Sequence, residues 1–147
     1  MRVRPAAESD LPVLLDMMED FNRHEQIAWE RGPGEAPLRA LIRGPELGLV
    51  CLAERGDAAL GYAIVTWGFD LEWSGRDAFL TELYVRPDRR GEGLGARLLD
   101  EALALARDRG ARAIHLVVRH DNAGARRIYE RAGFAAVPRT LMTRRLA

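Results

Sequence analysis

With 147 residues, no net charge and 48% hydrophobic residues, the chain fits a single domain, residues 1–147, able to bury roughly 70% of its unfolded surface without staples. The balance of 22 basic against 22 acidic residues argues against bulk nucleic-acid binding, and a single cysteine, Cys51, excludes an internal disulfide. No stretch approaches the ~18 apolar residues of a membrane helix and the opening Arg2-Val3-Arg4-Pro5 has no apolar signal region, so a soluble, cytoplasmic protein without membrane or nucleic-acid partners is expected.

In chain order, residues 2–5 read as a short edge strand, and Ser9 or Asp10 caps a helix running to about His24 with Leu11, Leu14, Leu15 and Met18 on its apolar stripe. Residues 25–35 read as a loop rich in Gly, Pro and charge, followed by a short helix over 37–43. Apolar strands follow at 47–54 and 58–67, joined by the hairpin signal Arg55-Gly56-Asp57. Cys51 lies inside the first of them and reads as a core residue rather than a nucleophile. A third strand at 78–85 stops at Pro87. Residues 94–109 read as a helix with Leu94, Leu98, Ala102 and Leu105 inward and Gly110 as its stop. A strand at 113–118, a helix at 122–132 and a last strand at 141–146 complete the pattern. Three adjacent strands followed by strand-helix-strand-helix-strand predict an α/β protein with a mixed sheet covered by helices.

Charge is unevenly distributed along this pattern. The first 75 residues have seven arginines against thirteen carboxylates, and the remainder fifteen against nine. The basic part contains Arg89-Arg90-Gly91-Glu92-Gly93-Leu94-Gly95, placed between a strand and a helix. Glycines there let backbone approach a ligand, and the first amides of the following helix have no internal partner, so the segment is an anion cradle suited to phosphate. Gly91 to Ala96 formally satisfies the dinucleotide pattern G-x-G-x-x-G/A. The context opposes it: three strands precede the loop, and Arg119 stands where an acidic residue is needed. A nucleoside-triphosphate loop is excluded, because no Lys-Ser/Thr follows the glycines.

The segment Arg90-Gly91-Glu92-Gly93-Leu94-Gly95 resembles the Q/R-x-x-G-x-G/A loop of the GCN5-related N-acetyltransferases (GNAT). Thr81-Glu82-Leu83-Tyr84-Val85-Arg86-Pro87 is similar to that family's fourth strand, and Asn122-x-x-Ala125-x-x-x-Tyr129-x-x-x-Gly133-Phe134 to its second signature helix. The opening Val3-Arg4-Pro5-Ala6 with Asp10-Leu11 also matches, while residues 21–47 do not. The resemblance implies a mainly antiparallel mixed sheet of six to seven strands flanked by helices, with acetyl-coenzyme A as donor and an amine as acceptor. It assigns the pyrophosphate to the amides of Arg90, Gly91, Glu92, Gly93, Leu94, Gly95 and Ala96, and the pantetheine arm to Leu83, Tyr84, Val85 and Asn122. The Val85 amide would meet the thioester oxygen. Glu82 would accept the proton of the attacking ammonium, its alternative being a structural pair with an arginine. Tyr129 would donate to the departing sulfur, although Ala125, Ile128, Tyr129 and Ala132 also share the spacing of a packing stripe.

Acidic and aromatic residues gather at Glu25, Trp29 and Glu30 and again at Trp67, Asp70, Glu72 and Trp73. Carboxylates beside indoles suit an ammonium group, so Glu25, Trp29, Trp67 and Glu72 are candidate acceptor residues for a polyamine- or aminoglycoside-like molecule. A peptide or protein amine is the alternative acceptor, and packing or homodimer contact is the alternative use of the tryptophans. A coenzyme-A-binding sensor without catalysis is the reading from another class. His24, His115 and His120 are isolated imidazoles, and no metal is assigned to them.

Overall fold

The computed structural model, which describes residues 1–147, turns the apolar runs of the first half into an antiparallel meander. It comprises β1 (Arg2–Pro5), β2 (Gly48–Arg55), β3 (Ala58–Asp70) and β4 (Gly75–Val85), and β5 (Ile114–His115) joins β4 in parallel. The sheet order follows the chain, β1-β2-β3-β4-β5. Five strands replace the six to seven expected. The predicted strand at 113–118 shrinks to two residues, paired with Ala78 and Phe79. The predicted strand at 141–146 does not form. Its pattern explains why: Leu141 and Met142 are adjacent, so a strand would send them to opposite faces, and Arg144 and Arg145 would do the same with two charges.

The chain divides into two compact units, residues 1–117 and 118–147. In the first, α1 (Leu11–His24) and α2 (Arg31–Arg43) cover one face of the sheet. The α1 stripe expected from spacing is buried, with Met17 added to it, and meets Leu38 of α2 and Val50, Leu52, Tyr62, Ile64 and Tyr84 of the sheet. Arg4 fixes the start of α1 by donating to Asp10 at 2.8 and 3.0 Å and to Glu54 at 3.0 and 3.1 Å, which ties β1, β2 and the helix entry together. On the other face, α3 (Leu94–Asp108) buries Leu94, Leu98, Leu99, Ala102 and Ala106.

Two elements exceed their predicted bounds. The α2 helix begins at Arg31, inside the segment expected to be a loop, because Pro33 sits in the first turn, where no amide bond is lost. The β3–β4 hairpin is longer at its tip, reaching Asp70 and Gly75 around a 3-10 turn at Leu71–Trp73. In the second unit, α4 (Ala123–Arg131) starts as predicted, with Asn122 Oδ1 accepting from the Ala125 amide at 3.1 Å.

Cys51 is a core residue, fully buried in β2, and burial pushes its thiol up to about 12. A thiol reagent at pH 8 should therefore leave the folded protein unmodified and label it only after denaturation, readable by mass spectrometry.

Candidate active site

The end of β4 has one paired edge and one open edge. On the β3 side the ladder pairs Glu82 with Ile64 and Tyr84 with Tyr62, and the Arg86 amide donates to Leu60 at 2.8 Å. Backbone groups alternate along a strand, so Leu83 and Val85 direct their amides and carbonyls to the opposite edge. There β5 pairs only as far as Phe79, so no strand covers that edge from there through Val85. An extended ligand backbone can add to such an edge as a further strand.

The open edge leads into the glycine loop. Gly91 and Gly93 take φ of +84° and +74°, left-handed values that a side chain would strain, and a Cβ at either would meet nothing within 4 Å. Their missing side chains thus leave the amides accessible. None of the amides from Gly91 to Ala96 donates to a backbone carbonyl, whereas the Arg97 amide returns to Gly93 at 3.2 Å and begins the helical ladder. Leu94 is buried and anchors this run of donors to the core. The donor set fits a pyrophosphate: several converging N–H groups at a helix start, with the dipole behind them. The Arg90 Nε donates to the Val85 carbonyl at 2.9 Å, and its guanidinium lies 5.8 Å from the Tyr84 ring centroid. Arg90 thus braces the strand end, with its terminal nitrogens left for an anion. Glu92 faces Arg55 at 3.9 Å.

Glu82 lies on the α1 face of β4, half-buried, and its partner is a phenol: Tyr62 Oη donates to Oε1 at 2.7 Å. Burial holds the Glu82 carboxyl above the usual carboxylate range, opposed by the Tyr62 hydrogen bond. Tyr62 is fully buried, stacked on Tyr84 at 5.5 Å and edge-on to Phe21 at 6.3 Å. The Tyr84 hydroxyl donates to Asp20 Oδ2 on α1 at 2.7 Å. No sequence motif marks Tyr62 or Asp20. The available signal was Tyr62 itself, since a tyrosine within an apolar strand needs a partner for its hydroxyl.

In the second unit, Asn122 caps α4. The stripe of Ala125, Ile128, Tyr129 and Ala132 is half-buried, and the Tyr129 ring lies edge-on to Phe134 at 5.9 Å. That contact is set by the turn after α4, where the Phe134 amide donates to the Tyr129 carbonyl at 3.0 Å.

The candidate acceptor residues do not form one wall. Glu25 follows the last turn of α1, half-buried. Trp29 packs against the α1–α2 core and occupies the space a side chain at Gly34 would need. Trp67 donates from Nε1 to the Pro45 carbonyl at 2.9 Å and stacks under Arg76 at 5.1 Å. It pairs with Ala78, seven residues and about 23 Å along β4 from Val85. Glu72 and Trp73 lie beyond it, at the hairpin tip.

A model of the acetyltransferase (GNAT) family matches residues 14–134. The thialysine N-epsilon-acetyltransferase of Bos taurus is 26% identical over 140 residues, covering 89% of this chain and 82% of that protein. Among solved structures, the integron cassette protein HFX_CASS3 from the mobile metagenome of Cole Harbour Salt Marsh superposes with a TM-score of 0.87 at 33% identity, over 99% of this chain and 90% of that one. The aminoglycoside N-acetyltransferase AAC(6')-Iy, solved in complex with CoA, shares the fold at a TM-score of 0.85 and 15% identity, over 99% and 95% of the two chains.

Proposed function

Since the chain belongs to the acetyltransferase (GNAT) family and is an N-acetyltransferase, we propose that it acetylates a cationic small-molecule amine from acetyl-coenzyme A, by direct attack with both molecules bound. The observation that carries this reading is the open edge of β4, with no strand paired at Leu83 and Val85, running into the free amides of Gly91 to Ala96. Bound along that edge, the coenzyme supplies an acetyl thioester, the electrophile of the reaction.

The chain's own residues then have separable tasks. The loop amides and the α3 dipole hold the pyrophosphate, and Arg90 adds charge. Leu83 and Val85 align the pantetheine arm, with Asn122 as a further contact, and the Val85 amide is the donor for the developing oxyanion. Glu82 takes the proton that an alkyl ammonium, with a pKa near 10, must lose before it can attack. The Tyr129 hydroxyl donates to the departing sulfur. A cationic acceptor is supported by the chemistry of a half-buried carboxylate at the strand's end, and by the thialysine and aminoglycoside named for the two acetyltransferases above.

A thiol-release assay across polyamines, aminoglycosides, thialysine, amino acids and short peptides tests the acceptor. Small diamines or amino sugars should turn over at least about tenfold faster, in kcat/KM, than any peptide. A preference for peptides would move the acceptor to protein amines. Stabilisation by acetyl-coenzyme A, roughly 2.7 kcal/mol at 100 times Kd, with no turnover of any amine would make the protein a sensor. With the best amine, Tyr129→Phe should lower kcat by about 100-fold and leave both KM values within about threefold.

A further inference from the structure

Glu82 does not choose its own conformation. Its Oε1 accepts from Tyr62 Oη at 2.7 Å, and Tyr62 has no freedom to swing away: it is fully buried, edge-on to Phe21 of α1 and stacked on Tyr84 at an interplanar angle of 25°. Tyr84 is held in turn by the bond from its hydroxyl to Asp20 and by Arg90 on its ring. The register that brings Tyr62 to Glu82 is set by the irregularity between Ile64 and Val65, beyond which the β3–β4 pairing shifts by one residue.

We propose that Tyr62 is a positioning residue for acetyl transfer: its hydroxyl pins Oε1 of Glu82, so that Oε2 is the oxygen presented to the incoming ammonium. This rests on Glu82 being the base. A phenol can only donate to the ionised carboxylate when it holds its own proton, and the buried Tyr62 does so throughout the working range, because burial and the adjacent Glu82 raise it far above neutrality. The other charged and titratable groups on this side include Asp20 of α1 with Arg23 at 3.5 Å, the Tyr84 hydroxyl, Arg86, whose Nε donates to the Ala59 carbonyl at 2.7 Å, and Arg90 beyond the Tyr84 ring. Tyr62 is the one whose polar atom touches Glu82.

The sign follows from the bond. Removing a donor to the ionised form raises the carboxyl, so more alkaline solution is needed to obtain the active base. In Tyr62→Phe, which keeps the ring and its stacking, the acidic limb of the kcat/KM profile should move up by about one pH unit. Above the limb a smaller deficit should remain, because the carboxylate, though ionised, is no longer pinned. Carbon-13 NMR of the Glu82 side chain without substrate should show its titration rising by the same amount, a readout independent of turnover. An unmoved limb and titration, or an equal loss at every pH, would overturn the assignment. Glu82→Gln run in parallel separates the two readings. If it displaces the limb to the titration of the free amine while Tyr62→Phe leaves the limb in place, only the role of Tyr62 fails. If Glu82→Gln keeps both limb and rate, the base assignment falls and the Tyr62 inference with it.

Discussion

Replacing Glu82 by Gln is expected to lower kcat/KM for the amine by about 10²–10⁴-fold near pH 7, with KM for acetyl-coenzyme A unchanged. Glutamine fits the same space and its amide oxygen still accepts from Tyr62, so the packing around Tyr62 survives and the loss reports chemistry. The deficit should shrink as pH rises. An amine with a pKa near 10 is about one part in a thousand free base at pH 7, so without a protein base the rate follows that fraction, climbing tenfold per pH unit until bulk water has done the deprotonation. The unaltered enzyme should level off earlier, because a protein carboxylate takes the proton from the bound ammonium and the rate no longer waits on the amine's titration in solution. A variant that loses rate equally at pH 7 and pH 10 would show Glu82 to be structural.

The glycine loop and the strand before it, the proposed cofactor side, are legible in the sequence as structural elements because their parts are local. The loop needs missing side chains at Gly91 and Gly93 and a helix start at Leu94, all within a few residues. The strand before it is marked by apolar residues and stopped by Pro87. The proposed base stands out as a carboxylate in an apolar strand, but its partner does not. Whether Glu82 meets an arginine or a phenol depends on the register of β3 against β4, and that register is shifted by the irregularity at Ile64 and Val65, for which no turn residue gives notice. The start of α2, residues 31–36, escapes the sequence pattern for a different reason. Gly32, Pro33, Gly34 and Pro37 are breakers by propensity, and tertiary packing of Leu38 and Trp29 overrides them. The candidate acceptor residues lie apart because neighbours in sequence are separated by the length of the β3–β4 hairpin. Trp67 lies one hairpin length from the loop, held by Pro45 and Arg76.

Gly61 shows how closely stability and the site are joined. It stands opposite Val85 in the ladder, and a Cβ there would overlap the Tyr84 carbonyl oxygen and lie 3.1 Å from the Val85 Cα. Those atoms are backbone, so no rotamer change relieves the clash and the strand end itself must move. Gly61→Ala should therefore destabilise the protein by about 3 kcal/mol, overriding the ~0.5–1 kcal/mol that alanine normally gains over glycine in a strand. For a domain of this size that is a fall in Tm of roughly 10 °C. Gly32→Ala provides the contrast: nothing lies within 4 Å of that Cβ and the residue is helical, so Tm should hold or rise. Because the displaced atoms are those of Tyr84 and Val85, KM for acetyl-coenzyme A in Gly61→Ala should rise by about tenfold at a temperature where the variant is fully folded, more than KM for the amine. Equal Tm values for the two alanine variants would mean that β3 and β4 can separate at this point without cost. A loss of stability with unchanged cofactor KM would mean that the strand end does not align the pantetheine arm.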